Sequence, residues 1–131
     1  MKGTILLVDD EPANLGILCE YLDVAGGYKV LMATSGETAL RQAARTRPDL
    51  ILLDVKLPGI DGFEVCRRLR ENEITAAIAI VFLSAITETE DKVAALELGA
   101  MDYITKPFRL AEVLARVEKH LTIHNLQKSL E

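Results

Sequence analysis

The stretch Leu50–Gly62, LILLDVKLPGIDG, restricts the available folds more than any other part of the chain. Four apolar residues run straight into Asp54, and Leu57-Pro58-Gly59 turns the chain at once. An unbroken apolar run of this length between turn signals suits a strand buried on both faces, as in a parallel sheet. A carboxylate at the end of such a strand is unfavourable to bury without a partner. Asp54 therefore either caps a local turn or stands in a solvent-facing site at the strand's C-terminal edge, where open α/β sheets bind ligands.

Four more apolar runs read as strands: Thr4–Val8, Lys29–Ala33, Ile78–Leu83 and Met101–Ile104. Helical spacing fills the gaps between them. Leu15, Leu18 and Leu22, with Ile17 and Tyr21 alongside, follow Pro12 and stop at Gly26-Gly27. Ala39, Leu40 and Ala43 follow a Ser35 cap and end before Pro48; Phe63, Val65, Cys66 and Leu69 follow an Asp61 cap. Thr87-Glu88-Thr89-Glu90 has capping-box form, opens a helix carrying Val93, Leu96 and Leu98, and Gly99 closes it. A last helix begins near Arg109. Strand and helix thus alternate five times with short connections, which predicts βαβ units and a parallel sheet with helices on both faces.

A chain of 131 residues suits one domain, and half of its residues are hydrophobic. With three Tyr, three Phe and no Trp, its core is expected to be aliphatic. Net charge is −5 and no run of Lys or Arg suggests a nucleic-acid or anionic-membrane surface. Cys19 and Cys66 lie far apart in helical patterns and are expected to be buried free thiols. The N-terminus has no signal-peptide pattern, and the longest apolar run, Ala76–Leu83, is too short to span a bilayer. A soluble cytoplasmic protein is expected.

The informative polar residues sit at strand ends. The first strand ends in Asp9-Asp10, the third in Asp54 and the fourth in Ser84; Lys106 follows the fifth. A parallel sheet brings all of these to one edge. Like charges about 4 Å apart repel by roughly 4 kcal/mol at an effective dielectric of about 20, so three clustered carboxylates call for a cation or a raised pKa. A hard divalent ion with oxygen ligands such as Mg²⁺ answers that need. An ionised carboxylate beside it can attack phosphorus and form an aspartyl phosphate. The Lys106 ammonium and the Ser84 hydroxyl can steady the phosphoryl oxygens. Each residue also has a plainer reading: Asp9 and Asp10 as helix caps before Pro12, Asp54 as a turn residue, Ser84 as a strand end, Lys106 as a solvated lysine and Tyr103 as a packed aromatic. Phe108 is read as packing. His120 and His124, on the last helix and far in sequence from the acids, are read as non-catalytic.

The motifs LLVDDEP, LILLDVKLPGIDGFEV, VFLSA and GAMDYITKPF, in this order and over about residues 4–121, resemble the response-regulator receiver domain of bacterial two-component signalling. The resemblance implies a flavodoxin-like, doubly wound, five-stranded parallel sheet of order 2-1-3-4-5. It implies that Asp54 is the phosphoacceptor. Mg²⁺ (or Mn²⁺) would be held by Asp10, Asp54 and the backbone carbonyl of Lys56, with Asp9 acting mainly through water. Ser84 and Lys106 would contact the phosphoryl group, Tyr103 would be the switch aromatic, and Lys106-Pro107 would be cis. It implies a histidine kinase or phosphotransfer protein as donor, and no enzyme activity beyond the chain's own phosphorylation and dephosphorylation. Lys56 and Ile86, each two residues past a site residue, suggest slow self-dephosphorylation.

Other readings fit less well. An Asp-nucleophile phosphatase usually carries a second acid where this chain has Lys56. A binding module without phosphorylation leaves the acid, hydroxyl and lysine set unexplained. A nucleotide-binding flavodoxin-like protein would need a Gly-rich loop after the first strand.

The receiver unit is expected over 1–121, with 122–131 as a helical extension. Leu110, Leu114, Val117 and Leu121 form one stripe suited to the sheet, while Ile123, Leu126 and Leu130 line roughly the opposite face. That second face suits pairing with a second copy in a homodimer, or leading into a C-terminal output domain absent from this chain. The sequence carries no DNA-binding element, so no direct nucleic-acid contact is expected.

Overall fold

A computed structural model describes residues 2–85 and 89–129. The strands are β1 (Thr4–Val8), β2 (Lys29–Ala33), β3 (Leu50–Leu53), β4 (Ala79–Ser84) and β5 (Asp102–Thr105). The helices are α1 (Pro12–Val24), α2 (Gly36–Thr46), α3 (Gly62–Glu71), α4 (Thr89–Glu97) and α5 (Leu110–Ser129). All strand pairs are parallel, as the alternation of strands and helices predicted, and the order is β2-β1-β3-β4-β5, as the receiver-domain resemblance implied.

Period-two alternation sorts the apolar residues onto the two faces. Leu6, Val8, Ile51, Leu53, Ile80, Phe82 and Tyr103 pack with Ala39 and Ala43 of α2, Val65, Cys66 and Leu69 of α3, and Ala95 of α4. Ile5, Leu7, Leu50, Leu52, Val81 and Ile104 pack with Leu15, Leu18 and Leu22 of α1 and Val113, Val117 and Leu121 of α5. The helix starts follow the expected chemistry: Ser35 Oγ accepts from the Thr38 N–H, and Asp61 Oδ1 accepts from the Glu64 N–H.

Several expectations are corrected. β4 starts one residue later than predicted, because the Ile78 N–H is taken by the Thr75 carbonyl in the preceding turn. β5 runs from Asp102 to Thr105, the last residue pairing with Ser84. In α4, Val93 and Leu96 face outward, and the inward line is Ala95 and Leu98, three residues apart. The capping box at Thr87 and the residue Ile86 lie outside the described residues. Cys66 is buried and burial pushes its thiol up, but Cys19 is only half-buried; both are free. On α5, Leu110 and Leu114 are half-buried, and the deepest line runs through Val113 and Val117 instead.

α5 continues unbroken past Leu121, leaving Ile123 and Leu126 exposed; Leu130 lies outside the described residues. His124, one turn further on, lines a crevice with Arg47, Pro48, Asp49, Ile74, Ala77 and Ile78. Among the described residues, no helix is long and apolar enough to cross a membrane.

Two close fits fix the frame, one at each edge of the sheet. Arg70 Nη1 donates to the Ala76 and Ile78 carbonyls and Nη2 to Gly99, tying the end of α3 to the start of β4 and the end of α4. Gly62 opens α3 directly over the turn after Asp54, and its N–H donates to Val55 O at 2.7 Å. A Cβ there would stand 2.3 Å from the Asp54 carbonyl oxygen and 2.9 Å from Val55 Cα, both rigid backbone. Gly62→Ala is therefore expected to destabilise the fold by about 1–3 kcal/mol, the range for forced overpacking, read as a lower urea midpoint at unchanged slope.

Candidate functional site

The site residues are held by hydrogen bonds that carry the strand ladder one residue past its formal end. The Asp9 N–H donates to Ala33 O, the last carbonyl of β2; Asp54 N–H to Val8 O, the last of β1; and Lys106 N–H to Ser84 O, the last of β4. Each side chain therefore leaves a fixed backbone at the C-terminal edge of the sheet. Asp9 and Asp54 are buried, and Asp10 is exposed beside them.

The three carboxylates converge: one oxygen from each of Asp9, Asp10 and Asp54 lies within 4.8 Å of the others. Lys106 Nζ enters from the β5 side, 3.1 Å from Asp54 Oδ2 and 3.4 Å from Asp9 Oδ2. The Lys56 N–H donates to Asp54 Oδ1 at 3.2 Å. Burial pushes the Asp54 carboxyl above its usual range; the Lys106 hydrogen bond and charge pull it back, Asp9 adds to the rise, and the result is a raised value. Burial pulls the Lys106 ammonium down, but Asp54 and Asp9 outweigh it and hold it above its usual value. Asp9 does not cap α1. Its Oδ1 accepts from the Glu11 N–H, and the cap position belongs to Glu11, whose side chain makes no capping bond.

Ser84 is buried at the end of β4 and lines the cleft together with Asp10, Asp54, Lys56 and Lys106. Glu11 and Asn14 complete the α1 side of that cleft, with Asn14 Nδ2 donating to Glu11 Oε2 at 3.1 Å. Nothing in the spacing of these two singled them out beforehand. Tyr103 is not in the cleft. It sits in the layer beneath, opposite Phe82 in register, with ring centroids 6.0 Å apart. Lys106-Pro107 is cis, as expected.

His120, set aside on sequence distance, is also away from the cleft, but it is buried against Asp102 with Nε2 2.9 Å from Oδ2. A histidine on an otherwise apolar stripe gave no sign of that partner.

Three carboxylates against one ammonium leave an excess of negative charge on hard oxygen donors. That donor set suits a divalent cation such as Mg²⁺, which binds through one or two carboxylates and retains other oxygen ligands. Asp9, Asp10 and Asp54 are the residues able to hold it.

Comparisons with known proteins point the same way. Residues 5–118 match the response regulator receiver domain family. The chain is 48% identical over 118 residues to the alkaline phosphatase synthesis transcriptional regulatory protein PhoP of Bacillus subtilis, covering 90% of this chain and 48% of that protein. The chain spans about half the length of such curated relatives. Among solved structures, a CheY-like response regulator receiver domain protein of Methanospirillum hungatei is similar at TM-score 0.88 and 26% identity, covering 95% of this chain and 97% of that one. The receiver domain of the sensor histidine kinase PA1611 of Pseudomonas aeruginosa, solved with a magnesium ion in its active-site cleft, is similar at TM-score 0.82 and 34% identity, covering 92% and 98%.

The raised Asp54 value has a thermodynamic consequence. Because ionising Asp54 is harder in the folded chain than in the unfolded one, its charge lowers stability above the folded pKa, and that loss disappears as pH falls below the unfolded value. Without divalent cations at neutral pH, Asp54→Asn is expected to melt at a higher temperature than the natural chain. The gap should close in acid. Added Mg²⁺ should raise the natural chain's midpoint more than the variant's.

Proposed function

The chain belongs to the response regulator receiver domain family, and from that premise we propose that it is a phosphorylation switch with Asp54 as its phosphoacceptor. The observation that carries this reading is the position of Asp54. Its carboxylate is fixed at the edge of the central strand, within reach of two further acids and of the Lys106 ammonium. An Asp54 oxygen attacks phosphorus as the donor's bond to its leaving group breaks, and the leaving group departs with the electron pair. Asp10, Asp54 and the Lys56 carbonyl, with Asp9 behind them, would hold a divalent cation, which would supply positive charge against the incoming phosphoryl group. Lys106 is then released from the two carboxylates to meet one phosphoryl oxygen, while the Ser84 hydroxyl donates to another. Tyr103 reports the change to the outer face of β5 as the switch aromatic.

The donor in this reading is a histidine kinase or a phosphotransfer protein, and the chemistry stops at the chain's own phosphorylation and dephosphorylation. Residues 1–121 form the receiver and 122–131 a helical extension that pairs with a second copy or leads to an output domain. The switch works in the cytoplasm, without direct contact to nucleic acid or membrane by this chain. The shared length with relatives such as PhoP, about half of each, fits a receiver joined to a separate output.

The test is intact-protein mass after incubation with acetyl phosphate. A gain of one phosphoryl group is expected with Mg²⁺, none after chelation and none in Asp54→Asn. Absence of the adduct in a chain shown to bind Mg²⁺ and sampled within seconds would overturn the reading. Lys56, exposed at the cleft mouth, is expected to shield the phosphoryl group from water. Decay of the adduct should therefore take minutes or longer, and Lys56→Ala should hasten it severalfold. Loss within seconds from the natural chain rules the shielding out.

A further inference from the structure

Among the described residues, His120 is the one buried polar side chain of α5. Its Nε2 lies 2.9 Å from Asp102 Oδ2. The other oxygen of Asp102 accepts from Arg116 Nη1 at 3.0 Å and from the Tyr103 N–H at 2.8 Å. His120 Nδ1 is buried with no hydrogen-bond partner.

These contacts fix which ring nitrogen meets the carboxylate. Burial pushes the Asp102 carboxyl up, but His120, the Tyr103 N–H and Arg116 together hold it below its usual range. Asp102 is therefore an ionised acceptor, and the hydrogen in this bond is carried by His120 Nε2. A leucine would fill the same space with no orphaned atom. What histidine adds is one directional bond, from α5 to the first residue of β5.

That bond falls at a sensitive place. β5 is a four-residue edge strand, hydrogen-bonded to β4 alone. Tyr103 follows Asp102 directly, and Lys106 comes immediately after the strand. Apolar packing by Val113, Val117 and Leu121 presses α5 onto the sheet but is non-directional and allows sliding. The Asp102 cluster is directional, joining α5 to the first residue of β5 through both His120 and Arg116.

We infer that His120 is a positioning residue for the site. Through Asp102 it sets where β5 lies against α5, and so where Tyr103 and Lys106 stand relative to Asp54. The geometric part stands on its own; the consequence for phosphoryl transfer rests on the function proposed above.

Two variants of the full chain separate positioning from mere filling. His120→Gln carries an amide nitrogen near the place of Nε2, whereas His120→Asn carries one near Nδ1, short of Asp102. Hydrogen exchange across residues 103–106, Mg²⁺ affinity and the phosphorylation rate with phosphoramidate would be measured for each. In His120→Asn, exchange at 103–106 should quicken and phosphorylation should slow roughly tenfold, as expected when a catalytic group is slightly misplaced. Mg²⁺ affinity should hold, because Asp9 and Asp10 are anchored elsewhere. His120→Gln should restore both. Equal rates and exchange in His120→Asn and the natural chain would overturn the inference, as would equal losses in both variants. If His120→Asn does not fold, Asp102→Asn must reproduce the slow phosphorylation at unchanged Mg²⁺ affinity; a natural rate there overturns it. If the natural chain takes no phosphate, the Asp54 reading fails, and exchange at 103–106 alone decides the role of His120.

Discussion

Two carboxylates are buried at the ends of adjacent central strands, with a third beside them and one ammonium between. Carboxylates side by side repel, and the Lys106 ammonium, 3.1 Å from Asp54 and 3.4 Å from Asp9, offsets part of that. Burial first, and Asp9 to a lesser degree, still leave the Asp54 carboxyl above its usual range. An apolar core would be more stable without these groups. Their presence makes the cleft receptive to a cation and an anionic group together, and leaves the lysine free to change partners.

The sheet makes that arrangement sharp. Parallel strands bring their C-terminal ends to one edge, and ladder hydrogen bonds continue through Asp9, Asp54 and Lys106. Helix α3 closes over the edge at Gly62, where only hydrogen fits beside the Asp54 carbonyl. Backbone on three strands thus positions the reactive side chains, with little freedom left to the loops. α4 turns Val93 and Leu96 outward, and its end is fastened through Arg70 to α3.

The parts that were hardest to read from the chain share a cause. Arg70 looks like any helix-face arginine until three carbonyls, two before β4 and one after α4, meet its guanidinium. His120 looks like an interruption of an apolar stripe until Asp102 arrives from β5. Glu11 and Asn14 read as the first turn of a helix, and become cleft walls because α1 starts beside Asp54. In α4 the choice between Val93 with Leu96 and Ala95 with Leu98 depends on which face the sheet presents. A small Ala95 lets the helix lie close, an advantage invisible to hydrophobicity alone.

Legible in the chain alone were the five alternations, the parallel sheet, its order through the motifs' resemblance, and the gathering of Asp9, Asp10, Asp54, Ser84 and Lys106 at one edge. They were legible because strand runs, caps and turn residues act over a few neighbours, and because a parallel sheet sends every strand end to the same edge. Tertiary packing settled how Lys106 divides itself between Asp54 and Asp9, that Tyr103 lies in the layer beneath the cleft, and that a buried histidine of α5 bonds to the start of β5. Those outcomes depend on distances and desolvation between residues far apart in the chain, which no local pattern encodes.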